Sequence, residues 1–266
     1  MKNRLLTLLI ILSMLSTMAP PVAFAENEIH IATAKDLETL AKNCILDSYS
    51  KDLTVILDAD IDLTGKVQPS IPIFSGIFDG AGHTISGFEL ALDGYDLGLF
   101  RIIASGGYIM NLNVEGYVDP ENVRDNIGGI AGSNYGVLEN CTFKGNVHGN
   151  MHVGGLVGYN YGAIINCTNY ATLLGKTNTG GIAGSNEGLI LGSTNEGEIN
   201  TTYETVEASL DNISLLELTS ITGVSATDEN VVSNTGGIVG ASVGVIRSCV
   251  NKSQVGYQPM ATMSEA

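Results

Sequence analysis

Tryptophan is absent from this 266-residue chain, proline occurs 6 times, and Lys and Arg together number 12 against 28 Asp and Glu. The shortage of cations argues against a nucleic-acid partner, because that binding rests on cationic neutralisation of phosphates. It equally disfavours docking on anionic membranes, and the acidity serves to keep an exported chain soluble and monomeric. Sparse proline beside 33 glycines, with no three-residue glycine period, excludes collagen and calls for many tight turns. Cysteine is scarce too, and Cys44, Cys141, Cys167 and Cys249 match no zinc spacing. The apolar run at 5–18 is 14 residues long, short of the roughly 20 that span a bilayer. With Lys2 and Arg4 ahead of it and Ala23-Phe24-Ala25 behind it, residues 1–25 read as a cleavable export leader. Without the leader the chain carries 10 − 28 = −18 charges, and no membrane insertion is expected.

What is present is a repeat. Gly128-Gly129-Ile130-Ala131-Gly132-Ser133-Asn134-Tyr135-Gly136 returns as Gly154-Gly155-Leu156-Val157-Gly158-Tyr159-Asn160-Tyr161-Gly162, then from Gly180 and again from Gly236. The period is strict, 154 − 128 = 26 and 180 − 154 = 26. A fixed period of this size marks stacked units, none of which buries its apolar face alone. Two columns hold only large aliphatics: Ile130, Leu156, Ile182 and Ile238, then Leu138, Ile164, Ile190 and Ile246. Each should form an inward ladder. Cys141, Cys167 and Cys249 lie three residues beyond the second column, an odd separation that demands a corner near Asn140 and Asn166. Stacking sets Cys141 and Cys167 about 4.8 Å apart, which allows either a disulfide or a ladder of small buried thiols. The glycines at 132, 136, 158, 162, 184, 188, 240 and 244 suit positive-φ turns. Asn134, Asn160 and Asn186 stack at one turn, where amides can bond coil to coil. Short strands joined by such turns make an all-β, parallel β-solenoid of about 26-residue coils, and the glycine density excludes helical repeats.

Taken in order, residues 26–51 hold one short helix, Ala34 to Asn43, N-capped by Thr33, with acidic Asp36 and Glu38 near its start and Leu37, Leu40 and Ala41 on one face. It is expected to cover the first coil, since an open end exposes core and strand edges. Residues 52–257 form the solenoid. At its start Val55, Leu57, Ala59, Ile61 and Leu63 alternate with Asp58, Asp60 and Asp62, a half-buried strand. Residues 201–233 are an irregular coil or an insertion, because the last repeat follows the third by 236 − 180 = 56. Residues 258–266 are a tail.

Gly154 to Cys167 resembles the GLUG motif of exported bacterial proteins, and the Phe78-Asp79-Gly80-Ala81-Gly82-His83-Thr84-Ile85-Ser86 segment is similar to what precedes GLUG arrays. The resemblance covers nearly all of 30–256. It implies a right-handed parallel β-helix used for surface display or binding, with repeats also found in the non-catalytic region of IgA-cleaving metallopeptidases. The chain departs from the pattern where members carry Trp-x-Pro-Ile; here it reads Pro69-Ser70-Ile71-Pro72-Ile73.

Catalytic signals are weak. His148-Gly149-Asn150-Met151-His152 has zincin spacing but no Glu between the histidines. Gly-x-Ser-x-Gly does not occur. The Asp58-Ala59-Asp60-Ile61-Asp62 run lacks the Gly and Glu of a calcium loop. Neither a metal nor another cofactor is expected. His83 reads as a turn or corner residue. The most suggestive feature is aromatic: Tyr135 and Tyr161 are equivalent, Tyr159 lies beside them, and Asn134 and Asn160 flank the rings. Such rings can stack on sugars or anchor a protein partner, or can stabilise neighbouring coils. The expectation is a non-catalytic secreted or cell-surface module for adhesion, taking host or cell-wall glycans or extracellular proteins. A carbohydrate-active β-helix enzyme and a structural spacer or fragment of a larger surface protein are the alternatives.

Overall fold

A computed structural model describes residues 27–122, 124–201 and 233–256. The expected leader, most of the 201–233 segment and the 258–266 tail lie outside the described residues. The chain winds into a β-solenoid of about six turns. Three parallel sheets of 8, 11 and 6 strands run along its sides.

One regular coil shows how the repeat folds. Ala131–Asn134 lies on the third sheet, Val137–Glu139 on the first and Thr142–Gly154 on the second, before Val157–Asn160 begins the next turn directly above. Val137, Leu138 and Glu139 pair with Ala163, Ile164 and Ile165, one period on. Such register places like residues over like, so the columns become ladders. Ile130, Leu156 and Ile182 are fully buried, as are Leu138, Ile164 and Ile190. Cys141 and Cys167 are buried free thiols, and the Cys141 N–H donates to Cys167 Sγ at 3.4 Å. Burial holds the Cys141 thiol well above its usual range. Asn140 and Asn166 stand just before the cysteines with φ of 52°, which turns the chain from the first sheet to the second. In the last described coil Ile238 and Cys249 are only partly buried and Ile246 is 41% exposed. There the ladder has no described coil above it.

The repeat glycines within and just after each third-sheet strand do not have positive φ. What they share is crowding. A Cβ on Gly158 would stand 2.3 Å from the carbonyl carbon of Asn126, and one on Gly162 would stand 2.1 Å from the Gly136 oxygen. Each lies against the backbone of the coil below, where any side chain intrudes. Left-handed positions fall instead at the corners, at Asn140 and Asn166 and in a second polar column, Asp96, Asn126, His152, Asn178 and Asn234, with φ between 53° and 58°. Asn and Asp enter that region most readily, because their short side chains bond locally.

The helix α1, Ala34–Asn43, is N-capped by Thr33 with a full capping box: Asp36 N donates to Thr33 Oγ1 and Thr33 N donates to Asp36 Oδ2. Its buried face, Leu37, Leu40 and Ala41, packs toward the first third-sheet strand, Ile71–Phe74. A strand precedes it: Asn27–Ile31 pairs in parallel with Leu53–Leu57, so the first sheet starts ahead of the helix. The alternating stretch after residue 53 is broken into Leu53–Leu57 and Ile61–Asp62 on different sheets. Its exposed aspartates serve the corner: Asp58 meets His30, Asp60 accepts from Thr84 N and meets His83, and Asp62 accepts from Thr64 N. Where the coils are least regular, edge-to-face Phe74, Phe78 and Phe100, with centroids 5.3–6.0 Å apart, fill the core.

Candidate functional site

Between the third sheet and the polar corner column lies a strip of polar and aromatic side chains. Strand alternation explains the division of labour. Along Val157–Asn160, Asn160 turns inward and Tyr159 outward; along Ala183–Asn186, Asn186 is inward and Ser185 faces the corner column. Asn134, Asn160 and Asn186 are fully or almost fully buried and bond in series, Asn134 Nδ2 to Asn160 Oδ1 at 2.8 Å and Asn160 Nδ2 to Asn186 Oδ1 at 2.7 Å. They are therefore a spine beneath the surface, not ligand contacts. A second buried amide ladder runs Asn169 to Asn195 to Asn251, each link 2.7 Å. It was not visible in the repeat because the first coil carries Phe143 in that column.

The three tyrosines form one stack. Tyr135 lies 4.6 Å from Tyr161 with 3° between planes, and Tyr161 lies 4.4 Å from Tyr159 with 8° between them. Tyr161 is sandwiched, so both its faces are taken by its neighbours. The stack ties neighbouring coils together and leaves the outer rings and the ring edges available to a ligand. Tyr135 and Tyr161 remain 47% and 40% exposed. Tyr159 O–H donates to Glu187 Oε1 at 2.7 Å, and that bond followed by burial pushes its phenol pKa up.

The strip continues past Tyr159 into the corner column. His152 and Tyr159 rings lie 4.9 Å apart, inclined at 56°. His152 Nδ1 is 2.6 Å from Ser185 Oγ and 3.2 Å from Asn178 Nδ2. Burial pushes the His152 pKa down, against the opposing charge of Asp125, which favours the neutral imidazole. One coil pair earlier, Ser133 Oγ and Asn126 Nδ2 both donate to Asp96 Oδ1, at 2.5 and 3.0 Å. His152, Tyr159, Asn178, Ser185 and Glu187 line a cavity of about 170 Å³. The serine–histidine contact has the look of a nucleophile and base. The nearby N–H groups of Glu187 and Gly188 both donate to Asn160 O, however, and so are not free to hold an oxyanion. Of the other histidines, His83 pairs with Asp60 at 3.1 Å and His148 with Asp119 at 3.2 Å. Among the described residues no group of three His, Cys, Asp or Glu side chains could hold a metal ion. His148 and His152 have separate partners.

The class is thus a parallel β-solenoid built on repeating coils with a polar and aromatic strip along one edge. The GLUG motif matches residues 125–147 and 149–172, two successive coils of the solenoid. It is 33% identical over 127 residues to a protein of Evansella cellulosilytica named a Gly-rich membrane protein, covering 43% of this chain and 14% of that one. Over 145 residues it is 29% identical to halomucin of Haloquadratum walsbyi, covering 48% of this chain and 2% of the relative. The chain therefore spans a small part of the curated relatives it matches. No solved structure gives a significant match. Among the described residues no helix is long and apolar enough to cross a membrane.

Proposed function

We propose that the chain is a non-catalytic interaction module displayed outside the cell, which binds glycans or extracellular proteins along its tyrosine-bearing edge. The observation that carries this reading is the Tyr135–Tyr161–Tyr159 stack, held in register by the strands beneath it and continuous with His152, Ser185 and Glu187. Half-exposed aromatic edges beside amides, hydroxyls and a carboxylate match ligands that are apolar on one side and hydroxylated on the other. A rigid scaffold supplies such a surface preorganised, which lowers the entropic cost of binding. The expected leader at 1–25 agrees with an outside address. So do relatives named for the membrane and as halomucin.

The test is binding of the chain without residues 1–25 to a glycan array and to a panel of extracellular proteins, beside the Tyr135→Ala/Tyr161→Ala double variant. A signal lost in the variant supports the reading. Silence from a folded wild type refutes it. That outcome would favour a structural spacer, a role consistent with tyrosines whose ring faces are spent on one another.

A further inference from the structure

The geometry points to a seat for a single neutral sugar ring in the cavity lined by His152, Tyr159, Asn178, Ser185 and Glu187. This rests on the glycan-binding reading above and moves its centre of gravity from the tyrosine faces to the pocket beside them. Size comes first. At about 170 Å³ the cavity has room for roughly six waters at about 30 Å³ each. It falls below the roughly 300 Å³ that larger organic ligands occupy, and so suits one ring, not an extended chain.

The free hydrogen-bonding positions set the chemistry. His152 Nδ1 receives Asn178 Nδ2 and meets Ser185 Oγ, an arrangement that leaves the proton on Nε2. Nε2 has no other partner among the described residues and is a neutral donor. Glu187 gives Oε1 to Tyr159, and its Oε2 has no described partner, which makes it a charged acceptor. A neutral donor and an anionic acceptor beside an aromatic ring match two neighbouring hydroxyls on a pyranose: one accepts from His152, the other donates to Glu187. The edges of the inclined His152 and Tyr159 rings, with Ala241 and Val243 also lining the cavity, supply the apolar contact for the C–H groups of the ring.

Charge narrows the class further. Among the described residues no Lys or Arg lines the cavity, while Glu187 does. An anionic sugar would therefore bring like charges together with no cation between them. His152 itself is a departure that needs a reason. The equivalent corner positions in neighbouring coils are Asn126, Asn178 and Asn234, all left-handed as His152 is. An asparagine there would serve the backbone equally well, so the imidazole adds something the corner itself does not require.

That equivalence supplies the test. The full chain is titrated with glucose, galactose, mannose and N-acetylglucosamine, with glucuronate and glucosamine as charged controls, by saturation-transfer NMR and calorimetry. At least one neutral sugar should bind with millimolar affinity. His152→Asn, which installs the neighbouring coils' residue and should keep the fold, weakens it at least tenfold, and so does Glu187→Gln. Tyr170→Ala, an exposed ring elsewhere on the surface, changes nothing. The pocket is refuted if no neutral sugar binds, if glucuronate or glucosamine binds better, or if both pocket variants bind normally. An array signal that survives both pocket variants but is lost in Tyr135→Ala/Tyr161→Ala would overturn the pocket alone and leave the broader reading standing. A silent array would remove both.

Discussion

At Gly162 an added Cβ would sit 2.1 Å from the Gly136 carbonyl oxygen, and the same clash recurs at Gly188 against Gly162. The obstructing atom is backbone, which cannot swing aside as a long side chain can. Gly162→Ala should therefore cost about 2–4 kcal/mol through forced separation of two coils; a urea midpoint unchanged from wild type would show that the coils can part freely. Asn160 tests the other crowded element. Replacing it with Ala leaves Asn186 Oδ1 and one of the two Asn134 Nδ2 protons unpaired in the interior, the other still donating to Ala163 O, and unpaired buried groups cost about 1–3 kcal/mol each. Denaturant unfolding of Asn160→Ala should show a loss of about 3 kcal/mol. At this scale the sequence was partly legible. Identity and spacing located the Asn134, Asn160 and Asn186 ladder, because the same residue recurs at the same turn. They misassigned the glycines, since nothing in a one-dimensional pattern separates a residue chosen for its φ from one chosen because the coil below leaves no space for Cβ. The His152–Ser185 contact was equally hidden. The two residues are 33 apart, and only the position of the corner brings them together.

Helix and strand show the same division. Ala34–Asn43 was readable to the residue, because Thr33 and Asp36 are local capping signals and Leu37, Leu40 and Ala41 keep helical spacing. Asn27–Ile31 was not, because its alternation amounts to two apolar residues, Ile29 and Ile31, too few to mark a strand, and the strand exists through its pairing with Leu53–Leu57. Thr33→Ala should lower stability by about 1 kcal/mol. The same variant carries a pH signature. The Thr33 hydroxyl, then the Ala32 N–H, hold the Asp36 carboxyl below its usual range. A carboxylate with a depressed folded pKa contributes stability above its unfolded pKa and loses it as pH falls through the folded value. The difference between wild type and Thr33→Ala should therefore shrink on acidification below about pH 4. A gap that stays constant to pH 2 would mean that the hydroxyl does not act through Asp36. In the ladder elements, Ile164→Asp places a charge on a fully buried side chain between Leu138 and Ile190. Loss of the cooperative far-ultraviolet transition is expected, and a native melting curve would refute the inward assignment.

The whole molecule is a stack, so whatever links one coil to the next sets its response to solution conditions. Two histidines make that response opposite in sign at two places. His30 lies 2.7 Å from Asp58 and 2.9 Å from Glu28, and these hydrogen bonds, Asp58 first, raise its pKa. Its contribution is fully present below the unfolded value of about 6.5 and is lost as pH rises through the folded value. His152 is the reverse. Burial lowers its pKa, so the unfolded chain takes up its proton first, and stability falls as pH drops from about 6.5 toward the folded value. Acidification from pH 8 to 5 thus strengthens the tie between Asn27–Ile31 and its neighbour while straining the corner that holds Ser185 and Asn178. Thermal melts across that range should separate the two. His30→Gln should lose stability relative to wild type most at pH 5, and His152→Asn should gain relative to wild type most at pH 5. Parallel curves for His152→Asn and wild type would mean that the imidazole is solvated and freely charged. Protonation would keep the Nε2 donor and take away the Nδ1 acceptor that Asn178 uses, so acid would loosen the corner beneath a bound sugar without removing the hydrogen bond to it.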